Sequence, residues 1–203
     1  LLDRSFRGVA TVCAWLILIV VGLILWEIGA KAVPAIRDYQ LGFLTGTTWD
    51  VNKQVFGILP EIWGTLYSSF LALIIGGTFG ITMAIFLTQD FLPARLALVF
   101  RSIVELLAAI PSVVWGFIGL TVTSGIIVRL FGAPVGVNVL NGGIILAFMC
   151  VPIITSIAED ALKAVPDSFR EAANAFGVTR WKLVYRVLLP ASKNGLLAAV
   201  LLG

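Results

Sequence analysis

The chain has 203 residues, 60% of them hydrophobic and 12% charged, with a formal net charge of +3 and a mean hydropathy of +1.05. A soluble domain of this length has too little interior to hide so much apolar side chain, so the composition excludes a water-soluble globule and points into a membrane. Histidine is absent, which removes the commonest general base and metal ligand.

Five apolar segments are expected to cross the bilayer, at about 9–28, 62–87, 96–122, 140–157 and 183–203. Each of the first four is near the ~20 residues that span ~30 Å of hydrocarbon at about 1.5 Å per residue. No small-residue cleavage site follows the first run, so it reads as a span and not as a signal peptide. The expected fold is an all-α polytopic helical bundle forming a single transmembrane domain over residues 1–203. Beyond Pro190 the fifth run has only residues 191–203 left, and position 1 is not Met. A chain cut short at its C-terminus is therefore expected. Cys13 and Cys150 lie in separate apolar runs without metal-type spacing, which predicts lipid-facing or core thiols.

The placement of Lys and Arg sets the expected orientation. Arg4, Arg7, Arg95, Arg101, Lys163, Arg170, Arg180, Lys182, Arg186 and Lys193 fall on one side, and Lys31, Arg37, Lys53 and Arg129 on the other. The richer side is taken as cytoplasmic, which puts the N-terminus inside. The segment 31–61, with Trp49 and several charges, then becomes an external loop, facing a partner or forming a lid. In the second span, Gly76-Gly77-Thr78-Phe79-Gly80 has the small-residue spacing that lets helices approach closely.

The third span carries charges. Arg101 and Glu105 are four residues apart and share a helix face. Each charge at membrane depth costs roughly 2.5–3.5 kcal/mol on insertion scales, so such groups pair, or face protein or water. A neutralising ion pair and a charge set lining a translocation path both fit. Glu105 by itself repels an anion and is better suited to holding an arginine. Pro111 and Ser112 follow, with Gly116 and Gly119 beyond. Proline frees a backbone carbonyl, so this is either a packing kink or a broken helix whose amides and Ser112 hydroxyl could meet an anion. Pro152, near Thr155 and Ser156, poses the same choice in the fourth span.

The loop at about 160–186 is polar and basic. Ser168 with Glu171 three residues on has the pattern of a capping box, and Glu171 through Phe176 are followed by a glycine stop at Gly177. A short helix is expected there, thin at Ala172 and Ala173 and with Phe169 and Phe176 as apolar knobs. A second helix is expected from about Thr179 through Trp181 and Tyr185, with Pro190 where the chain re-enters the bilayer. An interfacial amphipathic helix is the simpler reading. The spacing E-A-A-x-x-x-G-x₉-V-x-L-P, from Glu171 through Gly177 to Leu189-Pro190, resembles the cytoplasmic signature of ABC-importer membrane subunits, with Val187 where Ile is commonest. In that family the short helix docks into a groove of the ATPase. The resemblance implies the fold of a type I importer permease and assigns ATPase coupling to Ser168, Glu171, Ala172, Ala173, Phe176, Gly177, Leu189 and Pro190. Arg101, Glu105, Pro111 and Ser112 are the translocation-path candidates.

Further runs narrow the resemblance. Phe43-Leu-Thr-Gly-Thr-Thr-Trp-Asp50, Phe56-Gly57-Ile58-Leu59-Pro60, Trp63-Gly64-Thr65-Leu66, Ala84-Ile85-Phe86-Leu87-Thr88 and Ala108-Ala-Ile-Pro-Ser-Val-Val-Trp-Gly116 are similar to phosphate-importer permeases of the PstC type. These belong to the binding-protein-dependent transport system inner-membrane component family. The resemblance covers nearly the whole chain. It implies inorganic phosphate as cargo, a sister permease of PstA type, a dimer of ATPase subunits using ATP and Mg, and an extracytoplasmic phosphate-binding protein. It also implies a multi-pass location in the inner (plasma) membrane of a prokaryote, and no nucleic-acid partner. Members continue through another span with a G-R-A-x-G-E-T-like segment, which this sequence does not reach. No cofactor is expected on this chain, and no nucleophile–base pair or phosphate-binding glycine loop supports an enzyme. A permease for another small oxyanion or solute, or a non-transport structural membrane subunit, are the alternatives.

Overall fold

A computed structural model describes residues 2–89 and 91–203, with side chains from residue 6 onward. The Arg4 side chain, counted above for orientation, lies outside the described residues. The chain divides into two units, Leu1–Trp63 and Gly64–Gly203.

In the first unit, α1 runs Leu2–Tyr39 without a break at Pro34. It is longer than the expected span and takes in the first part of the expected loop. Ala30, Ala32 and Ala35 are strong helix formers, and Lys31 pairs with Glu27 one turn back at 2.9 Å. The loop proper is built rather than loose. A short α2 (Gly42–Thr45) precedes the antiparallel strands β1 (Trp49–Asp50) and β2 (Val55–Phe56). Asp50 accepts the Asn52 and Lys53 N–H groups at 2.9 and 3.1 Å, closing the turn. Phe56 meets Trp49 and Tyr39 edge-to-face at 5.0 and 5.4 Å. Gly57 lies so close to Gly46 that a Cβ would sit 2.2 Å from the Gly46 carbonyl carbon.

α3 spans Leu59–Thr88 and brings its residues from Gly64 onward to the second unit. Then follow α4 (Ala94–Ala109), α5 (Ser112–Ile118), a π turn (Gly119–Thr123), α6 (Ser124–Phe131) and α7 (Val139–Lys163). α8 is Asp167–Ala175, and α9 (Arg180–Leu183), a second π turn (Val184–Leu188) and α10 (Leu189–Leu202) complete the chain. By length and composition, helices at Phe6–Tyr39, Leu59–Thr88, Ser112–Phe131 and Val139–Lys163 can cross a membrane.

One expected span is corrected. The segment 96–122 is not one helix. Ile110 and Pro111 adopt extended backbone, with ψ of 120° and 144°, because proline drives the preceding residue out of the helical region and donates no hydrogen bond. The break favours the broken-helix reading of Pro111, and the helix long and apolar enough to cross is 112–131. Pro190 lies inside a helix. Residues 180–202 form one helical run, widened into a π turn just ahead of the proline, which cannot donate to the Arg186 carbonyl. α7, by contrast, continues through Pro152, which is buried.

α3 and α7 run parallel in close contact. Gly143 of α7 sits against Leu71, Gly76 against Ala147 and Cys150, and Gly80 against Val151 and Ile154, so the pairs advance together along both helices. A Cβ on Gly80 would lie 2.9 Å from the Ile154 Cβ. The Thr155 hydroxyl reaches the Gly80 carbonyl at 3.3 Å. α10 packs on α7 the same way, Gly195 over Ala161. The core is accordingly centred on α7, with Ala84, Ile154, Ala158, Leu162, Leu188 and Ala199 fully buried.

Gly80→Leu overpacks this seam and is expected to destabilise the second unit by about 1–3 kcal/mol, read as a lowered Tm in detergent. Gly125→Ala in α6, where a Cβ meets nothing within 4 Å, is expected to leave Tm unchanged or raise it.

Candidate functional site

α8 is held at both ends. Pro166, with φ −56° and ψ 140°, is the N-cap residue and makes no side-chain capping bond. The expected capping box is therefore absent: Pro166 caps the helix two residues before Ser168, leaving Ser168 exposed inside the first turn. Asp167 instead stands at the first position, where its charge suits the helix dipole. The C-terminus matches expectation. Gly177 has φ +67°, its N–H donates to the Asn174 carbonyl at 2.9 Å and that of Val178 to the Ala173 carbonyl at 3.0 Å. These paired bonds require a left-handed residue at Gly177.

The two faces of α8 differ. Ala173 is buried within the core cluster beside Leu162, Val165 and Leu183. Glu171, Ala172 and Gly177 are exposed, and Phe176 is 86% exposed, a large apolar side chain left uncovered by the described residues. Arg170, three residues before Ala173 on the buried face, was not singled out from sequence. Its Nη2 donates to the Leu162 carbonyl at 3.2 Å and its Nη1 to Gln89 Oε1 at 3.4 Å. Its Nε lies 3.6 Å from Asp167 Oδ1. Downstream, Trp181 stacks on Phe91 at 5.2 Å. Leu189 packs against the core and Pro190 is exposed.

The translocation-path candidates do not form one cluster. Arg101 pairs with Glu159 of α7 rather than with Glu105, and Lys163 binds the same Glu159 oxygen at 2.7 Å. Glu159 is only 13% exposed, so the two cations balance a carboxylate largely withdrawn from solvent. The i,i+4 spacing of Glu159 and Lys163 was readable, but the partner on α4 was not. Glu105 is exposed and makes no ion pair among the described residues. Ser112 lines a different cleft of about 320 Å³, with Gly116, Gly119, Asn138, Asn141 and Gly142. Asn141, also missed from sequence, is 4% exposed. Its amide donates to the Gly119 carbonyl at 2.8 Å, and its Oδ1 meets the Thr123 hydroxyl. It thus adds a side-chain donor to the Gly119 carbonyl, which also accepts the Ser124 N–H across the π turn. Among the described residues no three His, Cys, Asp or Glu side chains could hold a metal, and both cysteines are free thiols.

Residues 76–203 match the sequence profile of the binding-protein-dependent transport system inner membrane component. The chain belongs to this family. Similar proteins include the phosphate transport system permease protein PstC of Mesorhizobium japonicum, 33% identical over all of this chain and 67% of its own length. PstC of Haemophilus influenzae is 30% identical over 100% of this chain and 70% of its own. The probable ABC transporter permease protein YqgH of Bacillus subtilis is 36% identical over 97% and 65%. The chain thus spans about two thirds of these relatives' length. A chain of the inward-facing MetNI methionine ABC transporter shares the fold, with a TM-score of 0.60 over 68% of this chain and 64% of that one at 23% identity. As a member of the inner membrane component family, the chain is a transport permease and not an enzyme.

Gly177→Ala forces a Cβ into left-handed backbone at a cost of roughly 1–2 kcal/mol. It is expected to fray the end of α8, read as faster amide hydrogen exchange at residues 177 and 178 with α7 protection unchanged.

Proposed function

We propose that this chain is the transmembrane subunit of an ATP-driven importer of inorganic phosphate, with its N-terminus and the 160–186 loop in the cytoplasm. The observation that carries the coupling role is the exposed face of α8. Glu171, Ala172 and Phe176 are presented outward on a helix whose other face is fixed to the bundle. An exposed aromatic knob beside a thin alanine surface and a carboxylate fits a groove on a partner. The concentration of Lys and Arg on the α8 side supports the cytoplasmic orientation. Two of the similar proteins named above carry phosphate transport in their names, which supports phosphate as cargo.

The partners in this reading are a sister permease of PstA type, two ATPase subunits that bind ATP and Mg, and an extracytoplasmic phosphate-binding protein. The chain hydrolyses nothing. It takes a displacement delivered at α8 and turns it into alternating access. Ser168 lies in the first turn of the docking helix, Gly177 ends it, and Leu189 and Pro190 lie within the helical run that leads out of the loop. On the path, the broken backbone at Pro111 and the Ser112 hydroxyl, beside the amide of Asn138, offer neutral donors to an anion. Arg101 serves as counter-ion to Glu159, and Glu105 stands on the same helix facing outward. A permease for another small oxyanion remains the second reading, since the Bacillus subtilis relative's name gives no substrate.

With the complete transporter in proteoliposomes, ATP-dependent uptake of labelled phosphate is expected, competed by unlabelled phosphate but not by a tenfold excess of sulfate or molybdate. Equal competition by sulfate or molybdate overturns the phosphate reading. Glu171→Arg, at an exposed position, is expected to cut uptake at least tenfold while the permease keeps its wild-type Tm.

A further inference from the structure

Nine residues of helix cannot transmit a displacement unless something ties them to the spans they move. The face of α8 toward the bundle has one small apolar contact, Ala173, and one long polar side chain, Arg170. Alanine slides over its neighbours with little loss, because its contact is small and non-directional. A guanidinium is different: its donors lie in a fixed planar fork, so partners on two elements are held at a set angle and distance. Arg170 has such partners. Nη2 reaches the carbonyl of Leu162, in the last turn of α7 and fully buried. Nη1 reaches the side chain of Gln89, immediately beyond the end of α3.

Both partners are themselves fixed. Gln89 is 8% exposed, and its N–H continues the helical ladder to the Ile85 carbonyl at 3.1 Å. Its side-chain amide donates to the Thr88 hydroxyl at 3.0 Å, and that hydroxyl donates to the carbonyl of Ala84 in the core. Arg170 Nε is buried without a hydrogen bond of its own, 3.6 Å from the exposed carboxylate of Asp167. The guanidinium therefore spends its two best-directed bonds between elements and only a long charge contact within α8.

We propose that Arg170 is the positioning residue that locks the docking helix to the ends of α3 and α7, so that both spans follow when α8 is displaced. The assignment rests on the coupling role proposed for α8. A residue that only stabilised the fold would lower assembly and every activity together. A strut affects how much transport each hydrolysed ATP yields. Gln89→Lys sets a cation against Arg170 and breaks the strut from the α3 side without touching α8. Gln89→Glu keeps an acceptor there and adds a charge-assisted bond.

The test is made on the complete transporter in proteoliposomes, with wild-type, Arg170→Lys, Gln89→Lys and Gln89→Glu forms compared for phosphate uptake, ATPase rate and yield of intact complex. Wild-type uptake that does not depend on ATP defeats the coupling reading itself and is settled before the variants are compared. Given coupled wild type, Gln89→Lys and Arg170→Lys are expected to lose at least tenfold in phosphate transported per ATP, with ATPase rate and yield within about twofold. Gln89→Glu is expected to keep wild-type stoichiometry. Wild-type stoichiometry in Gln89→Lys and Arg170→Lys, or loss of yield in parallel with uptake, overturns the proposal.

Discussion

The seam between α3 and α7 is the constraint on which the second unit depends. Lipid tails are as apolar as leucine, so hydrophobic transfer gives these helices no reason to associate. Association comes from backbone approach, which Gly76 and Gly80 on α3 and Gly143 on α7 permit by presenting no side chain. Because the contacts advance together along both helices, the two ends arrive side by side. That places Gln89 and the Leu162 carbonyl within reach of one guanidinium. The geometry at α8 is thus set several turns away, by small residues in the middle of the bundle.

Polar groups inside the bundle follow a common rule. Asn141 and Glu159 of α7 both take partners on another helix. The first carbonyl of the π turn at Gly119–Thr123 accepts the Asn141 amide of α7 as well as the Ser124 N–H. Glu159, mostly withdrawn from solvent, takes Arg101 from α4 and Lys163 from its own helix. An unpaired carboxylate there would be costly, so charge pairing links α4 to α7 where close backbone approach joins α3 to α7.

What the sequence could show divides along the same line. Local signals were readable: the length of apolar runs, the helix stop at Gly177, the thin face at Gly76 and Gly80, and the spacing from Glu171 to Pro190. Signals that depend on another element were not. Arg101 looked as though it should pair with Glu105 because only its own helix was visible, whereas its partner lies 58 residues away. Arg170 and Asn141 carry no pattern of their own and gain meaning only from what folding brings beside them. The capping box failed for a local reason that was in plain view. Pro166 begins the helix earlier than Ser168 can cap it.

The contrast between the faces of α8 bears on how such a helix can work. A helix this short is marginal in water, so its shape is maintained by what anchors it. One face and both ends supply that: Ala173 and Arg170 toward the bundle, Asp167 at the start and the paired bonds around Gly177 at the finish. None of these uses Glu171, Ala172 or Phe176. The outward face can therefore be preformed before any partner arrives, and docking need not supply the ordering of nine residues. A preformed surface on a rigid mount loses little of an applied displacement to bending. A loop that folded only on contact would absorb part of it.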